Sequence, residues 1–287
     1  MRKSENQKHE RRVIRDEIRT SASPQKAWEA WADPEKIAGW FVDRATGKAE
    51  AGSAFTWFFD SFHLELPYKV LEAEPGARFA LQWEGPMPPP GILEIIIERD
   101  GGETLIRLVQ SGFREDAQFD EEYEGVRSGW QNALGLLRHY LENYFGEPRK
   151  TVLVMQPGQF SYAEIDRYYR DPALLAEWLT VSPRGRVANA GAIGEVCEAC
   201  DLEFRGGGKL TGQVLARTDH EVALSWPEER ATLELKSFSM GPQKMLGLRA
   251  SLWGATPERA QKIEEQLTAA VTRLAGLLQK PANAGAC

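Results

Sequence analysis

The sequence predicts an α+β protein of two tandem domains, each a curved antiparallel sheet closed by one long C-terminal helix. Three observations predict it. Period-two alternation fills the middle of each half, a sustained helical stripe ends each half, and landmarks of the first half recur in order in the second. The chain has 287 residues, about two domains at roughly 150 residues each. Either half is long enough to bury a core without metals or disulfides.

In chain order, Val13 to Ser21 reads as an opening strand. Ser23-Pro24 starts a helix, with a hydroxyl N-cap and a proline where no N–H is needed. Ala27, Trp28 and Trp31 give that helix an apolar face, and Asp33-Pro34 opens a second short helix leading through Ile37 to Trp40 and Phe41. Strands follow. Phe55, Trp57 and Phe59 share one face, as do Leu64, Leu66, Tyr68 and Val70; Phe79, Leu81 and Trp83; and Leu93, Ile95 and Ile97. Glu65, Lys69, Gln82, Glu94 and Glu98 fall between them, which is the pattern of a sheet with one face in water and one on a core. Pro86 to Pro90 reads as a loop, and Asp100-Gly101-Gly102 as a hairpin turn into Thr104 to Gln110. The period then changes. Val126, Trp130, Ala133, Leu134, Leu137, Tyr140, Leu141 and Tyr144 form one helical stripe, with Ser128, Gly135 and His139 opposite. The inward sheet face is the expected partner of this stripe. Gly146 and Pro148 end the helix.

The second half repeats the order. Thr151 to Met155 reads as a strand, Ser161 and Glu164 form a capping box, and Asp171-Pro172 opens the short second helix. Strands are expected over Glu195 to Phe204, Lys209 to Arg217, Val222 to Trp226, Thr232 to Phe238 and Met245 to Trp253, with Gly206-Gly207-Gly208 as a hairpin turn. Thr256-Pro257 caps a last helix whose stripe is Ile263, Leu267, Ala270, Val271, Leu274, Leu277 and Leu278. Asp33-Pro34 and Trp40 recur as Asp171-Pro172 and Trp178 at one spacing, Trp83 recurs as Trp226, and Val126, Trp130, Leu137 and Leu141 recur as Ile263, Leu267, Leu274 and Leu278. An internal duplication explains this order most economically. The expected divisions are a disordered arm over 1–11, a first domain over 12–148, a diverged second domain over 149–280 and a tail over 281–287.

Composition narrows the function classes. Hydrophobic residues make up 42% and charged residues 27%, as in ordinary soluble globular proteins. No apolar run reaches the roughly 18 residues of a membrane span. The net charge of −7 disfavours nonspecific nucleic-acid binding, which needs a basic surface. The polar stretch Met1 to Arg12 lacks the apolar segment of a secretory signal. Cys197, Cys200 and Cys287 are odd in number and late in the chain, so a reducing cytoplasm is expected rather than a disulfide framework.

Strand, two short helices, a run of antiparallel strands and a long closing helix is the order of the START-like/SRPBCC helix-grip superfamily (TBP-like architecture). The first half resembles its branch named after the activator of the Hsp-90 ATPase. The resembling residues are Ser23-Pro24 through Trp28, Asp33-Pro34 through Trp40-Phe41, the strand closing on Trp83, and Gln110-Ser111-Gly112-Phe113 leading to Gly129-Trp130. The second half keeps Asp171-Pro172, Trp178 and Trp226, lacks the Ser-Gly-Phe step, and has Leu267 where the first has Trp130, so it reads as a copy whose pocket is open to being filled or lost. The resemblance implies a cavity for small apolar or amphipathic molecules and no particular reaction.

The cavity-lining candidates are Phe55, Trp57, Phe59, Tyr68, Trp83, Ile95, Gln110, Trp130 and Leu134, because ligand sites are concave and mostly apolar with few polar groups; a filled core is the alternative for each. Gln110 would orient a ligand if its strand face points inward, or else sit at a rim. Cys197-Glu-Ala-Cys200 fits a metal or redox pair poorly, since residues three apart on a strand face opposite ways and His220 is the only nearby imidazole. His9, His63 and His139 have no expected partner for acid–base work. The acidic run Glu115-Asp116 through Asp120-Glu121-Glu122 reads as a solvated segment favouring a helix N-terminus, with gating of the cavity mouth or a basic partner as alternatives. No catalytic residue, metal or cofactor is assigned. Three functions remain: a noncatalytic binder of a small hydrophobic ligand, with the second domain replacing a dimer mate in a pseudo-dimeric monomer; a chaperone or protein-interaction module; and a cyclase- or hydrolase-like enzyme on the same scaffold.

Overall fold

A computed structural model of the chain describes residues 12–85, 91–181, 191, 193–240 and 243–279. The expected N-terminal arm with His9, the Pro86 to Pro90 loop, and the C-terminal tail with Cys287 lie outside the described residues. The chain divides into two compact units. The first holds the chain up to Ile37 and Arg44–Arg127; the second holds Ala38–Asp43 and everything from Ser128.

The first unit is built on a seven-stranded antiparallel sheet. Its strands are β1 (Ile14–Thr20), β2 (Arg44–Gly47), β3 (Ala54–Phe59), β4 (Leu64–Glu74), β5 (Arg78–Trp83), β6 (Ile92–Asp100) and β7 (Glu103–Gln110), in the order β1-β7-β6-β5-β4-β3-β2. Helices α1 (Pro24–Ala32) and α2 (Pro34–Ala38) follow β1. Ser23 Oγ accepts the Lys26 N–H at 3.3 Å and Asp33 Oδ1 that of Glu35 at 2.8 Å, so both cap-plus-proline signals act as N-termini. The one strand without a signal in the sequence is β2. Its residues Arg-Ala-Thr-Gly do not alternate, and it exists because Gly47, at φ 123°, lets the chain pass within 2.8 Å of Phe55 Cα, measured from where a Cβ would stand. Of the expected inward sets, Phe55, Trp57, Val70, Phe79, Leu81, Leu93, Ile95 and Ile97 are buried, Phe59, Leu66, Tyr68 and Trp83 are half-buried, and Leu64 at the start of β4 is exposed.

The long helix α3 (Asp120–Asn143) begins in the first unit, and the division between units falls within it. The second unit contains β8 (Arg149–Gly158), α4 (Tyr162–Arg170), α5 (Pro172–Trp178), β9 (Ala199–Glu203), β10 (Lys209–Arg217), β11 (Glu221–Trp226), β12 (Ala231–Met240), β13 (Gln243–Trp253) and α6 (Pro257–Leu278), with sheet order β8-β13-β12-β11-β10-β9. First strand beside last strand, then a descending meander, is the topology of both sheets. One face of the second sheet packs with α6: Leu224, Leu233, Leu235, Leu248 and Ala250 share a core with Ile263, Leu267, Val271 and Leu274. The expected strand from Glu195 is shorter, because Cys197 takes φ 71° in a turn and pairing begins only at Ala199.

The other face of that sheet corrects the reading of α3. The sequence set Ser128, Gly135 and His139 on a polar side, away from packing. Within the second unit these residues meet the sheet instead. Ser128 Oγ donates to Thr218 Oγ1 at 2.6 Å, Asn132 Nδ2 donates to the buried Glu234 at 3.0 Å, and a Cβ on Gly135 would stand 2.4 Å from the Leu215 carbonyl. The His139 ring lies edge-on to Tyr144 and Trp253. Trp130, Leu134, Leu137 and Tyr140 of the apolar stripe are buried as well. Amphipathic spacing finds the apolar side of a helix, but it assigns the polar side to water by default. Here that side carries small and hydrogen-bonding groups that fit a polar sheet face.

Candidate functional site

In the first unit, β4 to β7 and the opening turns of α3 border a half-open cavity of about 270 Å³. It is lined by Leu66, Tyr68, Trp83, Gly91, Leu93, Gln110, Val126 and the segment Ser111–Arg114, with Glu122 at the helix side. Strand register brings these together. Tyr68 pairs with Trp83, and Gln110 pairs with both Ile14 and Leu93, so the inward residues of neighbouring strands stand side by side. Gly85 gives the Trp83 indole its room, since a Cβ there would overlap the ring.

Of the nine candidates, Tyr68, Trp83 and Gln110 line this space. Phe55, Trp57 and Ile95 are buried in the same unit and are not part of the lining, and Phe59 is half-buried. Trp57 supports the wall from behind, with its ring 4.8 Å from that of Tyr68. Trp130 and Leu134 fall in the second unit, where Trp130 stacks on Phe41 at 5.4 Å. The α3 residues that face the cavity are Val126, one turn before Trp130, and Glu122. Leu66 and Leu93 share strand faces with candidates and were legible as such; Phe113, Arg114 and Glu122 lie where the chain leaves the sheet and carry no periodic signal.

Apolar surface makes up most of the lining, and its polar side chains are Tyr68, Gln110, Ser111, Arg114 and Glu122. Tyr68 sits with its ring 5.5 Å from Trp83, near-perpendicular, and its hydroxyl has no hydrogen-bond partner among the described residues. Burial pushes that phenol well above its ordinary pKa, so it remains protonated and able to donate. Phe113 packs edge-to-face on Tyr123 at 5.2 Å. Arg114 is exposed and lies over the Phe119 ring at 4.4 Å; Glu122 is also exposed. Arg12 and Asp120 form an ion pair beside Tyr123, holding the start of α3 to the start of β1.

The second copy differs where the first is polar. The row Ile14–Gln110–Leu93 becomes Val152–Ala250–Leu233, by the same strand pairings. Tyr68 stands two residues before Val70, where β4 bulges; Gly212 stands two before Val214, where β10 bulges. A Cβ at Gly212 would already lie 2.0 Å from the Ser225 carbonyl. Thus both interior polar groups of the first copy are missing from the second, whose Trp226 indole N–H is satisfied by the Lys209 carbonyl at 2.8 Å.

The other candidate chemistry is not assembled. Cys197 is exposed, with its Sγ 3.6 Å from Arg138 Nη2, whereas Cys200 is buried on β9 and burial, then Asp201, pushes its thiol up to about 12. Among the described residues no three His, Cys, Asp or Glu side chains are placed to hold a metal ion, and no helix is long and apolar enough to cross a membrane.

The family profile described as Activator of Hsp90 ATPase homolog 1-like protein matches residues 21–142. No curated protein sequence matches the chain. Among solved structures, the chain is similar to the Aha1 dimer from Colwellia psychrerythraea, at 22% identity over 46% of this chain and 96% of that one, with a TM-score of 0.42. It is similar over 93% of its length to DynU16, a protein of the dynemicin biosynthetic locus (16% identity, 99% of that chain, TM-score 0.42). It is similar over 94% to the di-domain ARO/CYC BexL from the BE-7585A biosynthetic pathway (13% identity, 99% of that chain, TM-score 0.43). Residues 21–142 thus match the activator of Hsp90 ATPase homolog 1-like family model, and the chain has an α+β architecture of two antiparallel sheets, each with a long helix, as in tandem helix-grip domains.

Proposed function

We propose that the first domain binds a small hydrophobic or amphipathic molecule, without transforming it, in the space between β4–β7 and the first turns of α3. One observation carries the reading: the first copy keeps an apolar cavity with a tyrosine and a glutamine on its inner wall, where the second copy has glycine and alanine. Ligand sites combine apolar walls with a few polar groups that fix orientation. Among the described residues the lining has no histidine, cysteine or aspartate, and its carboxylate, Glu122, is exposed to water, so they supply no buried acid–base pair of the kind a cyclase or hydrolase would use. A chaperone-docking role asks for a contiguous apolar surface. The exposed large apolar residues among those described are Leu64, Leu71, Val196 and Met240, divided between the two units.

The test is titration with a neutral apolar fluorophore such as N-phenyl-1-naphthylamine, with the folded state of each protein checked by circular dichroism. The wild type should bind saturably at one site, and Val126→Trp, which fills the space, should weaken binding at least tenfold. Absence of binding to the wild type, or equal binding by the folded variant, would overturn the reading.

A further inference from the structure

We infer that the guest presents a neutral hydrogen-bond-accepting oxygen, such as a ketone or quinone carbonyl, to the Tyr68 hydroxyl, and that this contact selects it over both hydrocarbons and carboxylates of the same shape. The inference rests on the cavity reading above and goes on to the chemistry of what fills it.

Three observations lead there. The Tyr68 hydroxyl has no hydrogen-bond partner among the described residues, as is also the case for the Trp83 indole N–H and the Ser111 hydroxyl of the same lining, and the Tyr68 ring is fixed by Trp57 on one side and Trp83 on the other. A hydrocarbon guest would strip water from that hydroxyl and give nothing back, which is the expensive way to bury a donor. An anionic guest group would enter a wall of Leu66, Trp83 and Leu93 with no buried cation among the described lining residues to meet it, because Arg114 is exposed. A neutral carbonyl satisfies the phenol and adds no charge. The volume, about 270 Å³, lies just below the usual range for ligand sites, roughly 300–1,000 Å³. Tyr68, Trp83 and Phe113 put aromatic rings on the wall, which favours a flat guest of one or two rings.

The experiment compares three probes of one shape, 2-acetonaphthone, 2-ethylnaphthalene and 2-naphthoate, by isothermal titration at neutral pH on the full chain and on Tyr68→Phe. The ketone should bind the wild type about tenfold more tightly than the hydrocarbon, the worth of one buried hydrogen bond, and more tightly than the carboxylate. Tyr68→Phe should erase the preference for the ketone and leave the hydrocarbon's affinity unchanged or improved. Equal binding of ketone and hydrocarbon, tightest binding of the carboxylate, or a ketone preference that survives in Tyr68→Phe would overturn the inference and leave the cavity reading standing. If none of the three probes binds, the cavity reading falls and this inference falls with it. Should Tyr68→Phe not fold, the ranking on the wild type still decides.

Discussion

Glu234 has no exposed surface, yet it carries its charge on a sheet. Burial alone would raise its pKa. Arg249 at 2.6 Å, Lys236 at 3.4 Å and the Asn132 amide at 3.0 Å outweigh that and hold the carboxyl below the usual range. Lys236 also meets Glu221 at 2.8 Å, and Arg149 donates to the carbonyls of Trp40 and Val42, both at 2.5 Å. The charges are thus used locally within the second unit. His139 is the opposite case. Burial first, and then the Arg138 charge, press its pKa from 6.5 to about 4. As pH falls below 6.5 the unfolded chain takes up a proton that the folded chain refuses until near 4. Stability from this group is therefore complete above pH 6.5 and is lost between 6.5 and 4, by at most about 3 kcal/mol. With unfolding free energies measured across that interval, the wild type should lose stability relative to His139→Phe as pH falls. Parallel curves would show that the ring is not held neutral by the fold.

At the scale of elements, the two sheets share an irregularity that no sequence pattern disclosed. β4 carries an extra residue, Leu71, between Val70 (opposite Leu81) and Glu72 (opposite Ala80); β10 carries Leu215 between Val214 (opposite Leu224) and Ala216 (opposite Ala223). A bulge turns one extra residue out of the alternation. Leu71 is 40% exposed, while Leu215 is buried with Leu136, Ala216 and Ala223. Gly135 is what lets α3 come down on that bulge. Alanine at 135 would gain about 1 kcal/mol of helix propensity, but its Cβ would stand 2.4 Å from the Leu215 carbonyl, a backbone atom that cannot step aside. Overpacking of this kind costs about 1–3 kcal/mol, so Gly135→Ala should be destabilising on balance, as a lower midpoint in urea unfolding. A neutral or stabilising result would mean that helix and sheet separate here easily.

For the whole molecule, the compact units do not coincide with the two repeats. The second repeat reads from about residue 149, yet the second unit begins at Ser128 and takes in Ala38–Asp43. Those added residues supply Asn132 to Glu234, Gly135 to Leu215, and the carbonyls that receive Arg149 and, from Gly39, the Trp253 indole at 3.0 Å. A fragment starting at Arg149 would keep the sheet and α6 but uncover Glu234, Arg249, Leu215 and Trp253. It should lose cooperative thermal unfolding and bind the dye ANS, as loosely packed states do. Two-state unfolding of that fragment at the midpoint of the full chain would refute this.

The sequence by itself determined the elements other than β2, the duplicated order and most of the inward set, because period two and period 3.6 record which face of each element meets a core, and Ser23-Pro24, Asp33-Pro34, Asp171-Pro172 and Thr256-Pro257 mark where helices begin. It also singled out Tyr68, Trp83 and Gln110, which share one inward surface. What it could not assign is how a side chain divides its contacts among elements distant in sequence. Periodicity is one-dimensional: it could not tell that Val126 rather than Trp130 faces the cavity, that Phe55 and Ile95 lie behind its wall, or that the polar side of α3 meets a sheet. Those outcomes depend on strand register, two bulges and the depth to which a glycine lets a helix settle, and only tertiary packing sets them.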